Sequence, residues 1–525
     1  MKKLLFIFFI ISLQSYAQSG ISMYNDSVVH TIEINTPITN WIDVLDADYN
    51  NNVADPITYP QIYRSCDVKI DGIPFNNSGF REKGNASNFI ATTGTGKKKP
   101  FKIALDAFTD QNYDGIKKFN VSNFTNDPSL LHDALSFKLM RDAGIVAPRT
   151  AYTRFYVNGE YIGLYLIIEN VDKVFLKDHY GGANNDGNLY KTDRGAAVYM
   201  NWLGEDKDAY KTQGLKLNSN DSIDDWSRYI AFIYFLNFNN DADFKEQLEA
   251  RFNVHEYLKI LAIEKVERSW DSYWGGGNNF YIYEHPDGQF RWIPWDMNET
   301  YQDIRTMSGT SLCDGYLVPM NKVDQRPLLK RIFDIPEFKT EYLDDCCSLI
   351  QTNFTMDHLG PFIVRMHDLA RDPYHEDPYK YNTFDDYKVS LSDDNEDVVA
   401  LAGGSLVLRF HYPGIFPFIQ SQREWAVKQM NAWDHNCDVA NNSVYDLSVY
   451  PNPAKEFVNV SNDGGFEYAQ FRIYDFTGRI CRQTDYDVMS GPSYEVRLDG
   501  LPGGIYLLLK YSADGKIGRA KLVIP

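Results

Sequence analysis

Two short apolar runs, Phe280–Tyr283 and Phe290–Pro294, flank the turn triplet Pro286-Asp287-Gly288 and dictate a β-hairpin in the middle of the chain. A hairpin returns its second strand to the start of its first, so the residues outside its two ends become neighbours. Here those residues are Asn278-Asn279 on one side and Trp295-Asp296-Met297-Asn298 on the other. Upstream, a helical pattern from about Val254, with Leu258, Leu261, Ala262 and Val266 on one face, ends near Arg268. Asp271 follows on a glycine-rich loop. The predicted mouth thus gathers two carboxylates, Asp271 and Asp296, and the Asn279 carboxamide, an oxygen set suited to Mg2+ or Mn2+. A purely structural alternative has Asp271 and Asp296 capping turns while Trp270, Trp274, Trp292 and Trp295 fill a core.

The order helix, loop Asp, Asn, hairpin, Asp is also the order of phosphoryl-transfer parts in a protein kinase. The interval from Asp271 to Asn279 is longer than H-R-D-L-x-x-x-N allows, and no D-F-G triplet is present. Four stretches go further: Gly79-Phe80-Arg81-Glu82-Lys83-Gly84-Asn85-Ala86-Ser87, Lys99-Pro100-Phe101-Lys102, Asn278-Asn279-Phe280-Tyr281-Ile282-Tyr283 and Trp292-Ile293-Pro294-Trp295-Asp296. In order and spacing they resemble the CotH kinase family, over most of Thr31 to about Trp433. The resemblance implies an α+β fold with a divergent, two-lobe protein-kinase-like domain that lacks an ordinary glycine-rich loop. It also implies ATP and a divalent metal, Mg2+ or Mn2+, with Ser or Thr of a protein substrate as acceptor. Carried over, Asp271 is the catalytic acceptor-orienting residue, Asn279 a metal ligand (with Asn278 as substitute) and Asp296 the principal metal carboxylate. Asn298 stands where many members carry a second Asp, which leaves that ligand position without charge.

In the N-terminal half Asp127, Pro128, the repeat Leu131, Leu135, Leu139 and the stop at Gly144 predict a helix. Strand-like runs flank it at 101–105, 152–157 and 161–168, the last two joined by the hairpin turn Asn158-Gly159. Arg81 and Lys102 are the phosphate-contacting candidates; for Lys102 a solvated strand lysine competes, because Lys97, Lys98 and Lys99 crowd nearby. Asp133 is either the acid that pairs with Lys102 or, as the helix position favours, a solvated residue. Glu169, at the end of an apolar strand, falls where an adenine hinge would lie, and Gly94-Thr95-Gly96-Lys97 lacks Walker spacing.

The ends speak of export. Lys2 and Lys3, the apolar stretch Leu4–Leu13 and Ser15-Tyr16-Ala17 read as a signal peptide over 1–17, too short to span a bilayer. No second long apolar stretch follows, so no transmembrane segment is expected in the mature chain. The net charge of −19 argues against nucleic-acid binding by phosphate neutralisation. The six cysteines form no zinc-like spacing, and adjacent Cys346 and Cys347 read as core. Between the signal and the polar joint Asn441-Asn442-Ser443, residues 31–438 form the kinase-like unit, and 443–525 form a small all-β sandwich of alternating short strands.

Tyr450-Pro451-Asn452-Pro453-Ala454, Ile473–Arg479, Leu501–Tyr506 and Lys521-Leu522-Val523 resemble the type A sorting domain of type IX secretion. That implies a Bacteroidetes-type bacterium, the type IX secretion machinery as partner, and a secreted or cell-surface location. Two other functions stay open on the same fold: a catalytically inactive surface adhesin, for which the 15% aromatic content is suited, and transfer of a nucleotidyl group (AMP).

Overall fold

The computed structural model describes residues 18–55, 58–84, 96–193, 195, 197–306, 316–318, 323–400, 407–437, 444–461, 469–475, 479–486, 493–512 and 517–525. The expected export signal, the joint at 441–443, Asn85 and Cys313 lie outside these residues.

Seven strands close a barrel: β1 (Val29–Asn35), β2 (Arg64–Ile70), β3 (Ile73–Glu82), β4 (Phe101–Ala104), β5 (Lys118–Ser122), β6 (Thr150–Val157) and β7 (Glu160–Glu169). Their order is β1-β2-β3-β4-β5-β7-β6, and β6 closes the circle by pairing parallel to β1. Alternation builds the inside: along β1, Ile32 and Ile34 are buried while Thr31 and Glu33 are not. Phe101 stacks on Phe155 at 5.4 Å, and Tyr165 lies 5.0 Å from Phe155, so aromatic rings fill the lumen. Asn158 and Gly159 both take positive φ (50° and 81°), which makes the tight β6–β7 hairpin that the Asn-Gly pair predicts.

The helix His132–Asp142 leaves the barrel between β5 and β6. It starts later than the sequence suggests, because Asp127 holds a preceding turn, accepting from the backbone N–H of Ser129 (3.0 Å) and of His132 (2.9 Å). Next to the barrel, a four-stranded sheet has the order β11-β10-β8-β9, from β8 (Leu189–Thr192), β9 (Leu215–Leu217), β10 (Phe280–Glu284) and β11 (Phe290–Pro294). The helix Val254–Val266 packs beside it with nearly every side chain buried. Strands β12 (Asp303–Thr306), β13 (Asn395–Ala400) and β14 (Val407–Tyr412) form a third sheet with β14 central.

The C-terminal strands are β15 (Val444–Asp446), β16 (Val449–Tyr450), β17 (Phe457–Ser461), β18 (Ala469–Asp475), β19 (Ile480–Tyr486), β20 (Ser493–Arg497), β21 (Gly504–Ser512) and β22 (Ile517–Ile524). They make two sheets, β15-β22-β21-β18-β19 and β16-β17-β20, around a core that includes Val458, Val460, Phe471, Ile473 and Leu508.

Two readings are corrected here. The region before Asn253 is richer in helix than its strand runs suggest, with helices at Trp41–Ala54, Lys173–Tyr180, Lys207–Gln213, Ser227–Phe238 and Phe244–Arg251. Ser227–Phe238 is apolar almost all round, so it lacks the one-sided stripe that betrays a surface helix. Cys346 is a buried thiol as expected, but Cys347 is not a plain core residue: it forms a disulfide with Cys437.

Candidate active site

The hairpin does what its sequence demands. Phe280 pairs with Pro294 across β10 and β11, which puts Asn279 and the Trp295-Asp296 pair at one end. Asn279 (φ 59°) and Asp296 (φ 57°) both adopt the left-handed conformation, in which Asn and Asp are tolerated better than other side chains. Asp271 joins them from the loop after the helix Val254–Val266. Its carboxylate accepts from Asn278 Nδ2 at 2.7 Å and from Asn279 Nδ2 at 2.9 Å, and its backbone carbonyl accepts from Asn279 at 2.8 Å. Burial raises the Asp271 pKa; the Asn278 and Asn279 amides oppose this, and the nearby Asp296 charge adds to it. Asp296 itself is exposed at the mouth.

The turn that follows Asp296 is bolted to the helix His132–Asp142. Met297 N–H donates to Asp133 Oδ1 at 2.9 Å, His132 Nδ1 lies 2.9 Å from the Asn298 carbonyl, and Ser136 and Thr300 hydroxyls are 3.2 Å apart. Asp133 is therefore not the solvated helix acid that its position favours. It is 5% exposed, and burial together with the Asp296 charge drives its pKa up, against the pull of Lys83. Asn298 gives its amide to Glu299 Oε1 at 3.3 Å. Glu299, unremarked in the sequence, is buried, also receives Asn126 Nδ2 at 3.0 Å, and is pushed up to about 7, chiefly by burial, with Asp271 and Asp296 adding to it.

Above the acids lies a fan of cations. Arg81 on β3 and Lys102 on β4 are register partners. Burial pulls the Lys102 pKa well down, with the Arg81 and Lys191 charges adding to it and Asp172 opposing. Two further lysines, missed in the sequence, belong here. Lys83 follows β3 and lies 5.4 Å from the Trp295 ring centre; Lys191, opposite Tyr281 on β8, lies 5.2 Å from both the Trp295 and Tyr281 ring centres. Burial lowers both pKa values, that of Lys191 to about 8, and Asp296 partly restores each. The signal for Lys83 was its place within the Gly79–Ser87 motif; Lys191 had none, because only sheet pairing brings it in.

Glu169 does end β7 as predicted, but its side chain turns elsewhere. It accepts Arg149 Nε at 2.9 Å and lies 3.5 Å from His179 Nε2, so it is not brought among the acids or the cations.

Profiles of known families match both parts of the chain. The family described as CotH kinase protein matches residues 80–401, well over half of the chain. The chain belongs to the CotH kinase family. Inner spore coat protein H of Bacillus subtilis is 26% identical over 290 residues, 54% of this chain and 76% of that protein. Spore coat protein homolog 1 of Rhizopus delemar is 24% identical over 48% of this chain and 42% of its own length, and Invasin CotH2 of the same fungus 24% over 39% and 33%. The match thus spans three quarters of the bacterial relative and less than half of each fungal one. Residues 448–525 match the secretion system C-terminal sorting domain, which marks the protein for export to the exterior or the cell surface by the type IX machinery. Among the described residues no helix is long and apolar enough to cross a membrane.

Among the described residues no three acidic, histidine or cysteine side chains converge tightly enough to hold an ion unaided. The set is two carboxylates and a carboxamide, which suits an ion that also takes phosphate and water oxygens.

Proposed function

We propose that this CotH-family chain is an exported, metal-dependent protein kinase whose barrel and hairpin-bearing sheet act as the two lobes of a divergent kinase-like unit (31–438). The observation that carries the reading is the joint placement of Asp271, Asn279 and Asp296 beneath Arg81, Lys83, Lys102 and Lys191. Anionic ligands of a cation face a cluster of cations that repel one another, an arrangement that a metal-bound polyphosphate would relieve. ATP with Mg2+ or Mn2+ would supply the transferable phosphoryl group and the Lewis acidity.

The chain's own groups account for the rest. Asp296 brings the negative charge that would hold the ion, and Asn279 an uncharged oxygen beside it. Asp133 fixes Asp296's turn through the Met297 N–H. Asp271, its pKa raised by burial and by Asp296, would accept the proton of a Ser or Thr hydroxyl on the protein acceptor more readily than a solvated Asp. The four cations would bind phosphate oxygens.

Incubating the protein with γ-labelled and, separately, α-labelled ATP, Mg2+ or Mn2+ and a generic acceptor protein tests this. The expected outcome is γ label on Ser or Thr, lost in Asp296→Ala together with metal-dependent nucleotide binding. Asp271→Asn should bind nucleotide within about twofold of the parent yet transfer about 10²–10⁴-fold more slowly. Label from the α position would replace the reading by nucleotidyl transfer. No label and no nucleotide-induced thermal shift would replace it by a surface-binding protein.

A further inference from the structure

The loop that carries Asp271 runs into three consecutive glycines. Its tip, Gly275-Gly276-Gly277, is threaded where nothing larger fits: a Cβ on Gly275 would lie 1.7 Å from the Trp270 carbonyl oxygen. On Gly277, which has φ +79°, a Cβ would lie 2.4 Å from the Tyr199 ring. Backbone bonds within the loop (Gly276 N–H and Gly277 N–H to the Ser272 carbonyl, 2.8 and 2.9 Å) close it on itself. A loop of three consecutive glycines has much conformational freedom to lose, so closing it this way needs an outside hold.

Arg326 supplies that hold. It is 1% exposed and immediately precedes the helix Pro327–Phe333. Its Nε donates to the Tyr273 carbonyl at 2.8 Å and its Nη2 to the Gly275 carbonyl at 2.7 Å, while its guanidinium carbon sits 3.9 Å from the centre of the Tyr199 ring. Tyr199 is tied to the same loop, its carbonyl accepting from the Tyr273 hydroxyl at 3.0 Å, and next to it Val198 N–H donates to the Gly277 carbonyl at 2.7 Å. One planar fork thus spans two carbonyls of the loop and lies over the ring that packs against its third glycine. Gly275, held by Nη2, touches the backbone of Trp270, the residue before Asp271, and Asn278, which follows Gly277, donates to the Asp271 carboxylate.

We propose that Arg326 is the positioning residue of the Asp271 loop, fixing through the Tyr273 and Gly275 carbonyls the one geometry in which Asp271 meets an acceptor hydroxyl. This rests on Asp271 having the acceptor-orienting role proposed above. Arg326 belongs to a different element from the acids and cations and touches none of them, so its loss should disturb orientation without disturbing nucleotide binding. Lysine cannot replace it, since an ammonium lacks the fork that reaches two carbonyls at once and the plane that stacks on Tyr199.

The test uses the full chain with Arg326→Met and Arg326→Lys, read by amide hydrogen exchange, nucleotide calorimetry and steady-state transfer. Exchange across Tyr273–Gly277 should quicken by about tenfold or more in Arg326→Met while the helix Val254–Val266 stays protected. Nucleotide affinity should hold within about twofold, and kcat should fall by about tenfold or more with KM for nucleotide unchanged. Loop exchange that matches the parent, or nucleotide affinity that falls in step with kcat, overturns the proposal. If Arg326→Met does not fold, Arg326→Lys, which keeps the charge and most of the volume, decides by the same readings. If the parent itself transfers no phosphate, the kinase reading has failed on its own; the positioning role then stands or falls on the loop exchange alone.

Discussion

Lys97, Lys98 and Lys99 and the trio Lys83, Lys102 and Lys191 are the same residue type on neighbouring parts of one fold, yet they are held in opposite ways. Each of the first three has its own carboxylate: Lys97 pairs with Glu160 and Lys99 with Asp46, both at 2.7 Å, and Lys98 pairs with Asp377, neither side chain exposed at all. Lys98 is also ringed by Phe124, Tyr165, Tyr374 and Tyr381 within 6.0 Å, and Gly163 leaves room for Asp377, whose carboxylate a Cβ there would strike. Among the described residues none of the second three has a carboxylate at ion-pair distance; burial lowers the pKa of each, and neighbouring cations, Arg81 among them, lower it further. Paired one to one, these lysines tie their segment to β7, to the segment around Asp377 and to the helix Trp41–Ala54. Set against each other, they do nothing for folding, and their collective charge is available to a polyanion.

Substitutions should separate the two sets. The largest effect is expected from Lys98→Met, which strands the Asp377 charge in the interior and should cost roughly 3–5 kcal/mol in urea denaturation. The nucleotide affinity of the folded fraction should stay close to the parent's. Lys83→Met should do the reverse, weakening nucleotide binding by about 10–100-fold, the worth of a charge-assisted hydrogen bond, with stability unchanged or raised. Equal losses of stability in both variants would erase the distinction.

A smaller effect sharpens it through pH. Lys191 sits near 8 in the folded chain and is protonated to about 10.4 when unfolded. Nucleotide affinity should therefore fall, by at most about tenfold per pH unit, as pH rises above 8. Folding stability should move the other way between 8 and 10.4, because the unfolded chain binds the extra proton there. Lys191→Met should flatten both slopes; calorimetry and denaturation across this range would show it.

The sequence carries the mouth of the site better than its roof. Asn279 and Asp296 are legible because strand length and turn chemistry force the ends of a hairpin together, whatever surrounds them. Lys191 is illegible because it enters only when β8 pairs with β10, a contact between residues about 90 positions apart. Asp133 looks like an ordinary polar residue in a helix's first turn, and only the docking of the Met297–Glu299 turn buries it. Glu169 shows the converse error, a correct strand end whose side chain is claimed by Arg149 across the hairpin pairing. The Ser227–Phe238 helix hid because its exposed face is apolar too, with Tyr234 and Phe238 both open to solvent, which erases the periodicity. Arg326 gave no sign at all, since a lone arginine before a proline has no pattern to read.

The bond between Cys347 and Cys437 has a consequence in time. It joins residues 90 positions apart, one in the helix Pro336–Gln351 and one beyond the helix Ile415–Asn431. Disulfides of this kind form in oxidising compartments and are rare in the cytosol. The finished fold therefore dates from after the chain has left the cytosol, and so does any activity that needs it. For the proposed kinase, the acceptor would then be a protein that shares its route outward, met after oxidation has closed the loop.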